Sequence, residues 1–213
     1  MKLISVNVSL PRDVIWNGRT VTTGIFKEPV EGRVQLRKLN LDGDRQADLS
    51  VHGGPDKAVY CYPAEHYAYW RDELKRTDLP CGMFGENFTV EGMLENETNI
   101  GDRFRIGSAV VMVTQPRMPC YKLGIKFGRD DMLKKFLSSL RSGFYFSVLE
   151  EGAVAAGDEI EFLKRDPNNI TVTDITKLYS TEKTNNELKR RAIKVEALPA
   201  SWRNYFLKQL SNR

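Results

Sequence analysis

The chain has 213 residues, 41% hydrophobic and 28% charged, with a formal net charge of +4. That length can bury a core without disulfides, and no apolar run approaches the length of a membrane span. Three cysteines, an odd number with no CxxC pair, suit a reducing compartment better than a disulfide scaffold, and no Cys/His spacing reads as a zinc finger.

The positive surplus is local. Residues 170–213 hold 9 Lys/Arg against 4 Asp/Glu, a net of +5, while residues 1–169 stand at −1. Residues 1–10 lack the apolar core of a secretory signal, so a cytoplasmic location with no membrane association is expected.

Residues 2–8, with Leu3, Ile4, Val6 and Val8, read as a first strand, and residues 20–26 as a second. Pro29 then marks an edge or a turn. Residues 33–39 alternate with period two, as a half-buried strand does. Asp42-Gly43-Asp44 signals a turn. His52-Gly53-Gly54-Pro55-Asp56-Lys57 signals a stronger one, since adjacent glycines allow positive φ or close approach of backbone to a ligand. Residues 58–62 read as a buried strand. Pro63 suits the first turn of a helix whose apolar face is Tyr67, Trp70 and Leu74.

Gly82 and Gly85 lead into a strand at 88–90. Gly101-Asp102 and Gly157-Asp158 precede strands at 103–106 and 159–162. Asp130 is placed to cap a helix bearing Leu133, Phe136, Leu137 and Leu140, with Gly143 as its stop. Residues 144–149 form a further strand. Short strands separated by Gly-containing turns, with only two helices, predict a barrel rather than a parallel α/β sheet.

The chemistry concentrates after the apolar run 109–113, a buried strand. It delivers Gln115-Pro116-Arg117-Met118-Pro119-Cys120-Tyr121-Lys122-Leu123. Each proline fixes φ and pushes the preceding residue toward extended backbone, so Cys120 sits in a stiff, extended loop. Arg117 and Lys122 favour the thiolate, which binds metals and attacks electrophiles. An inert buried thiol is the ordinary alternative. Cys61 and Cys81 lack such a loop and are read as non-ligands, and His66, among aromatics, as structural.

Asp166-Pro167-Asn168-Asn169 marks a boundary between a domain at 1–166 and an appendage at 167–213. The appendage reads as three short helices, around 174–180, 187–196 and 199–210. Trp202, Phe206 and Leu210 supply an apolar stripe that packs on itself or on the barrel. The run Lys189-Arg190-Arg191 reads as a solvated helix face, so nucleic acid is not an expected partner. A chain ending at Asp166 is expected to keep the chemistry of the cysteine loop.

Taken together, the motifs resemble a family. Gln115-Pro116-Arg117-x-Pro119-Cys120-Tyr121-Lys122-Leu123 is similar to the signature of MOSC domains, named after the C-terminal domain of molybdenum cofactor sulfurase. Ile25-x-Lys27-x-Pro29-Val30, Gly43-Asp44-x-Gln46-Ala47, His52-Gly53-Gly54-Pro55-Asp56 and Phe84-Gly85-Glu86-Asn87 resemble its YiiM-type branch. Tyr62-Pro63-x-Glu65-His66-Tyr67-x-Tyr69-Trp70 does so too, and the tail resembles that branch's three-helix appendage.

The resemblance implies an α+β fold, mainly β, with a MOSC-type β-barrel, peripheral helices and a small C-terminal three-helix domain. It implies a molybdenum–molybdopterin cofactor (Moco) with Cys120 as the catalytic metal ligand. It also implies reduction of N-hydroxylated substrates, hydroxylaminopurines and amidoximes, with electrons from a flavoprotein reductase. Lys27, His52, Gly53, Gly54, Asn87 and Arg117 are then the expected cofactor-binding residues. Arg117 and Lys27 would supply charge, Gly53 and Gly54 close backbone approach, and Asn87 a donor and acceptor for a heterocycle edge. His52 would be a phosphate donor or a supporting group. A cofactor carrier or sulfur-transfer module would use the same cysteine. A cysteine hydrolase pairing Cys120 with His52 lacks an elbow signature.

Overall fold

The computed structural model describes residues 1–48 and 53–211. The apolar runs of the sequence become strands. In chain order they begin with β1 (Lys2–Val8), the hairpin of β2 (Arg12–Trp16) and β3 (Arg19–Thr23), and the short β4 (Glu28–Pro29) and β5 (Val34–Leu36). After a 3-10 turn at Pro55–Lys57 come β6 (Val59–Pro63), α1 (His66–Leu74), β7 (Phe88–Glu91), β8 (Arg103–Ile106) and β9 (Ala109–Pro116). Then follow α2 (Lys122–Phe127), α3 (Met132–Ser139), β10 (Phe144–Glu150), β11 (Gly152–Val154) and β12 (Ile160–Lys164).

Eight strands form one sheet in the order β12-β8-β9-β10-β6-β7-β1-β4, antiparallel except where β6 meets β7. The sheet curls until β1, next to its β4 end, meets the approach to β12. Leu3 N donates to Asp158 O at 2.9 Å, Gly157 N to Leu3 O at 2.7 Å and Ile160 N to Met1 O at 3.0 Å. The barrel expected from the sequence is thus joined by a short seam between β1 and the approach to β12, not by a full ladder. Inside lie Leu3, Val6, Phe88, Val111, Phe144 and Phe146, all fully buried. Each such side chain contributes about 1.5–3 kcal/mol by leaving water. A second, aromatic cluster of Tyr62, Trp70, Phe84 and Phe136 sits beneath α1 and α3.

Several boundaries move for identifiable reasons. The strand expected over 33–39 stops at Leu36, because Arg37 N donates to Asn40 O in a turn that brings Leu41 back beside Leu36. Pro63 ends β6 instead of opening a helix. The Asp130 cap is not used: α3 begins at Met132, and the carboxylate of Asp131 before it is spent on Arg129 at 2.8 Å. That helix stops at Leu140, with φ of 57°, before Gly143 is reached.

The C-terminal helices are α4 (Val172–Ser180), α5 (Asn186–Ala192) and α6 (Ala200–Ser211). Thr171 and Asp174 form a reciprocal capping box that starts α4. Ile170, Val172, Ile175, Ala192, Trp202 and Phe206 are buried in the same apolar cluster as the strands. The appendage therefore packs both on itself and on the barrel. Among the described residues, no helix is long and apolar enough to cross a membrane.

Candidate active-site cleft

β9 runs buried along most of its length and ends at Pro116, so the next residues emerge at the sheet end. Arg117 is anchored there by its amide, which donates to Gly143 O at 3.3 Å. Cys120 follows, partly exposed, and its carbonyl accepts from Leu123 N at 2.9 Å to begin the turn into α2. The two-proline loop thus hands a reachable thiol to one wall of a cleft of roughly 690 Å3, counted to its open mouth. Gly53, Lys57, Lys27, Arg45, Asn87 and Lys122 line the same cleft.

Arg117 lies deepest among the cations, only 6% exposed. Its guanidinium packs over the Tyr60 ring at 4.8 Å and the Phe136 ring at 5.3 Å. Burial works against its charge, but Tyr60, Tyr145 and Cys120 around it hold its pKa above the ordinary arginine value. Nη1 is buried and has no hydrogen-bond partner among the described residues. A buried, charged donor left without an acceptor is costly, and a bound anion relieves that cost.

Lys27 is buried and paired with Asp44 at 2.5 Å. Burial lowers its pKa, and the Asp44 carboxylate opposes that shift. Asp44 also accepts from Ser9 N at 2.9 Å and from Asn87 Nδ2 at 2.9 Å. The charge of Lys27 is therefore largely compensated within the protein. Asn87 is similarly committed. Its Oδ1 accepts from Tyr60 N at 3.1 Å, and its Nδ2 donates to Asn7 O at 3.3 Å as well as to Asp44. Both donors of the Asn87 amide are spent on the protein, so its place in the cleft wall is to hold Asp44 and β6.

Gly82 allows this packing, since a Cβ there would meet Lys27 O at 2.7 Å. Glu86, fully buried, ties the loop by accepting from Gly82 N, Phe84 N, Thr89 Oγ1 and Tyr67 OH. Burial raises the Glu86 pKa against those donors. Gly53 and Gly54 have φ of 93° and 85°, the region that favours glycine, and Gly53 faces the cleft. His52 lies outside the described residues.

The structure also adds groups that the sequence reading did not single out. Tyr145 enters from β10 and is half-buried in the wall, and burial pushes its hydroxyl pKa up. Asp44 was visible only as part of a turn. Arg45 follows it onto the rim. No local sequence pattern points to Tyr145, because alternation on a strand tells which face it shares but not what that face meets.

Of the other thiols, Cys61 is fully buried, and burial holds its pKa well above the ordinary range. Cys81 does not line the cleft. His66 Nε2 is 2.7 Å from Glu95 Oε2, whose other oxygen accepts from Gly143 N at 2.7 Å, a structural bridge outside the cleft.

The cleft wall thus carries five Lys/Arg side chains, no carboxylate and one cysteine among the described residues. A MOSC domain model matches residues 48–161. The chain belongs to the MOSC family. Residues 170–213 match the YiiM-like, 3-alpha helix domain, so the appendage places it in the YiiM-like branch of MOSC proteins. It is 44% identical over 207 residues to the uncharacterized protein YflK of Bacillus subtilis, covering 97% of this chain and 93% of that one. A protein of Gibberella moniliformis named reductase is 35% identical over 151 residues, covering 70% of this chain and 27% of that longer protein. The crystal structure of YiiM from Geobacillus stearothermophilus matches this MOSC fold with a TM-score of 0.83 at 34% identity, covering 99% of each chain.

The MOSC family is tied to molybdenum cofactor by its name, and the residues present fit that group. Cys120 offers a soft ligand. Among the described residues no three His, Cys, Asp or Glu side chains converge as a metal site. The sulfurs of a pterin dithiolene would supply further ligands to a metal at Cys120. The unpartnered Nη1 of Arg117 suits an anionic end.

Proposed function

We propose that the chain is a molybdenum-cofactor-dependent oxidoreductase that reduces N-hydroxylated substrates such as hydroxylaminopurines and amidoximes. Electrons come from a separate flavoprotein reductase. The observation that carries this reading is the pairing, in one cleft, of partly exposed Cys120 with a buried guanidinium nitrogen of Arg117 that has no acceptor among the described residues. Membership of the MOSC family supports it, as does the reductase name of a relative.

Cys120 would be the protein's ligand to molybdenum, and Arg117 would donate from Nη1 to the anionic part of the pterin. Gly53 and Gly54 let the backbone approach that group without a side chain between. The cofactor, when bound, supplies two-electron redox chemistry. Cleaving N–OH to an amine and water consumes two electrons and two protons. Tyr145 keeps its proton through neutral pH, since burial raises its pKa, and it lines the same cleft as Arg117 and Cys120. Its hydroxyl would donate a hydrogen bond to the substrate. The Lys27–Asp44 pair keeps the floor beside them rigid without adding net charge.

The test is metal analysis of protein purified from a host that makes molybdopterin, followed by turnover of 6-N-hydroxylaminopurine with a chemical reductant. Molybdenum near one per chain with turnover is expected. Arg117→Ala should lower retention about tenfold or more, since charge-assisted hydrogen bonds are worth roughly 1.5–3 kcal/mol. Retained molybdenum without turnover would favour the carrier reading, and no retained molybdenum would end both.

A further inference from the structure

The C-terminal helices hydrogen-bond to the end of the strand that leads into the cleft. Trp202 of α6 donates from Nε1 to Gln115 Oε1 at 2.9 Å, across 87 residues of sequence. Gln115 Nε2 in turn donates to Asp56 O at 3.2 Å, and Thr114 Oγ1 donates to the same carbonyl at 2.7 Å. Asp56 lies in the 3-10 turn that carries Lys57 and follows Gly53-Gly54. Gln115 itself stands one residue before Pro116, where β9 gives way to the loop of Arg117 and Cys120. Gln115 and Trp202 are 4% and 9% exposed, so the bond between them is shielded from bulk water.

Indole nitrogen is a donor only. A carboxamide can flip, and only its oxygen can accept from Trp202. The indole therefore fixes which end of Gln115 faces the tail and leaves the NH2 for Asp56. We infer that Trp202 and Gln115 are positioning residues: the C-terminal three-helix unit sets the separation between the glycine turn and the cysteine loop, both of which line the cleft. This rests on the proposed reading only in taking that cleft as the functional site, and not on what binds there.

Hydrogen–deuterium exchange on the ligand-free protein tests it without any cofactor or turnover. The informative amide is Lys57 N, bonded to Gly54 O at 3.0 Å, read in peptides covering residues 53–58. Trp202→Phe removes the donor and keeps an aromatic ring. Gln115→Glu keeps the acceptor for Trp202 and removes the donor to Asp56.

The expected result is exchange at 53–58 faster by roughly three- to tenfold in both variants, with α1 unchanged, since one net hydrogen bond is lost. In Gln115→Glu the tail, 170–211, should stay at the parent rate. If faster exchange in Trp202→Phe is confined to 170–211, the indole only packs the tail and the inference is overturned. It is equally overturned if Gln115→Glu leaves 53–58 unchanged, or if exchange rises uniformly across both 53–58 and α1. Failure of molybdenum binding in the separate retention assay touches none of these outcomes.

Discussion

At the scale of single residues, burial sets Cys61 apart from Cys81 and Cys120, and of those two only Cys120 lines the cleft. Cys120 is partly exposed beside Arg117, whereas Cys61 is sealed in the core. Replacing Cys120 by Ser exchanges a soft ligand for a hard, weakly acidic one. Cys120→Ser should abolish reduction while leaving the melting midpoint near that of the parent. Cys61→Ser should do the reverse, keeping activity while losing roughly 1–3 kcal/mol for burying a hydroxyl. Equal turnover by Cys120→Ser and parent at matched metal loading would remove the ligand assignment.

Lys126, just beyond the cysteine loop, gives a pH signature. It sits 5.1 Å from the Phe26 ring, and burial brings its pKa from the usual 10.5 to about 8. The folded state then binds this proton more weakly than the unfolded state does. The penalty is full below pH 8 and gone above 10.5, so stability through this group rises between those values. Lys126→Met should melt higher than the parent at pH 7, and that difference should shrink by pH 10. A difference independent of pH would mean the lysine is not desolvated.

At the scale of elements, what was legible in the sequence was what local chemistry dictates. The first strand, β8, the apolar face of α1 and the three tail helices follow from period and turn residues alone. β2 was missed although Asn17-Gly18, with φ of 49° and 73°, is a tight-hairpin signal between it and β3. α2 was missed because six residues carry too short a period to read. The cysteine loop was legible because prolines act locally. The company of Cys120 was less so: Tyr145 arrives from β10, and Asp44 cancels Lys27 from a distant turn.

Among local devices, the capping box of α4 is a measurable one. Thr171 Oγ1 accepts from Asp174 N at 3.0 Å, and Asp174 Oδ2 accepts from Thr171 N at 2.9 Å. Thr171→Ala should cost about 1 kcal/mol, read as a lower urea midpoint at unchanged slope. A midpoint equal to the parent's would show that tertiary packing alone sets the start of that helix.

At the scale of the whole molecule, the shared core changes what truncation should do. The sequence expects a chain ending at Asp166 to keep its chemistry. Yet Ile175, Trp202 and Phe206 lie in one apolar cluster with the strands, and Gln115 Oε1 takes its donor from Trp202. Removing residues 167–213 bares that apolar face and takes its donor from Gln115, so the truncated chain should aggregate or melt well below the parent. Recovery of a monomer with the parent's midpoint would show the barrel to be self-sufficient.

The seam between β1 and the approach to β12 also carries a cost in time. Leu3 finds its partner at Asp158, so the first strand made cannot be enclosed until almost the whole barrel sequence exists. During synthesis at about 5–20 residues per second, that wait is roughly 8–30 seconds. Sequence-distant pairing of this kind slows folding after release as well. Val6 pairs with Phe88 well before then, but the Leu3 side of β1 stays open through that interval, which makes the nascent chain, rather than the finished protein, the form most exposed to self-association.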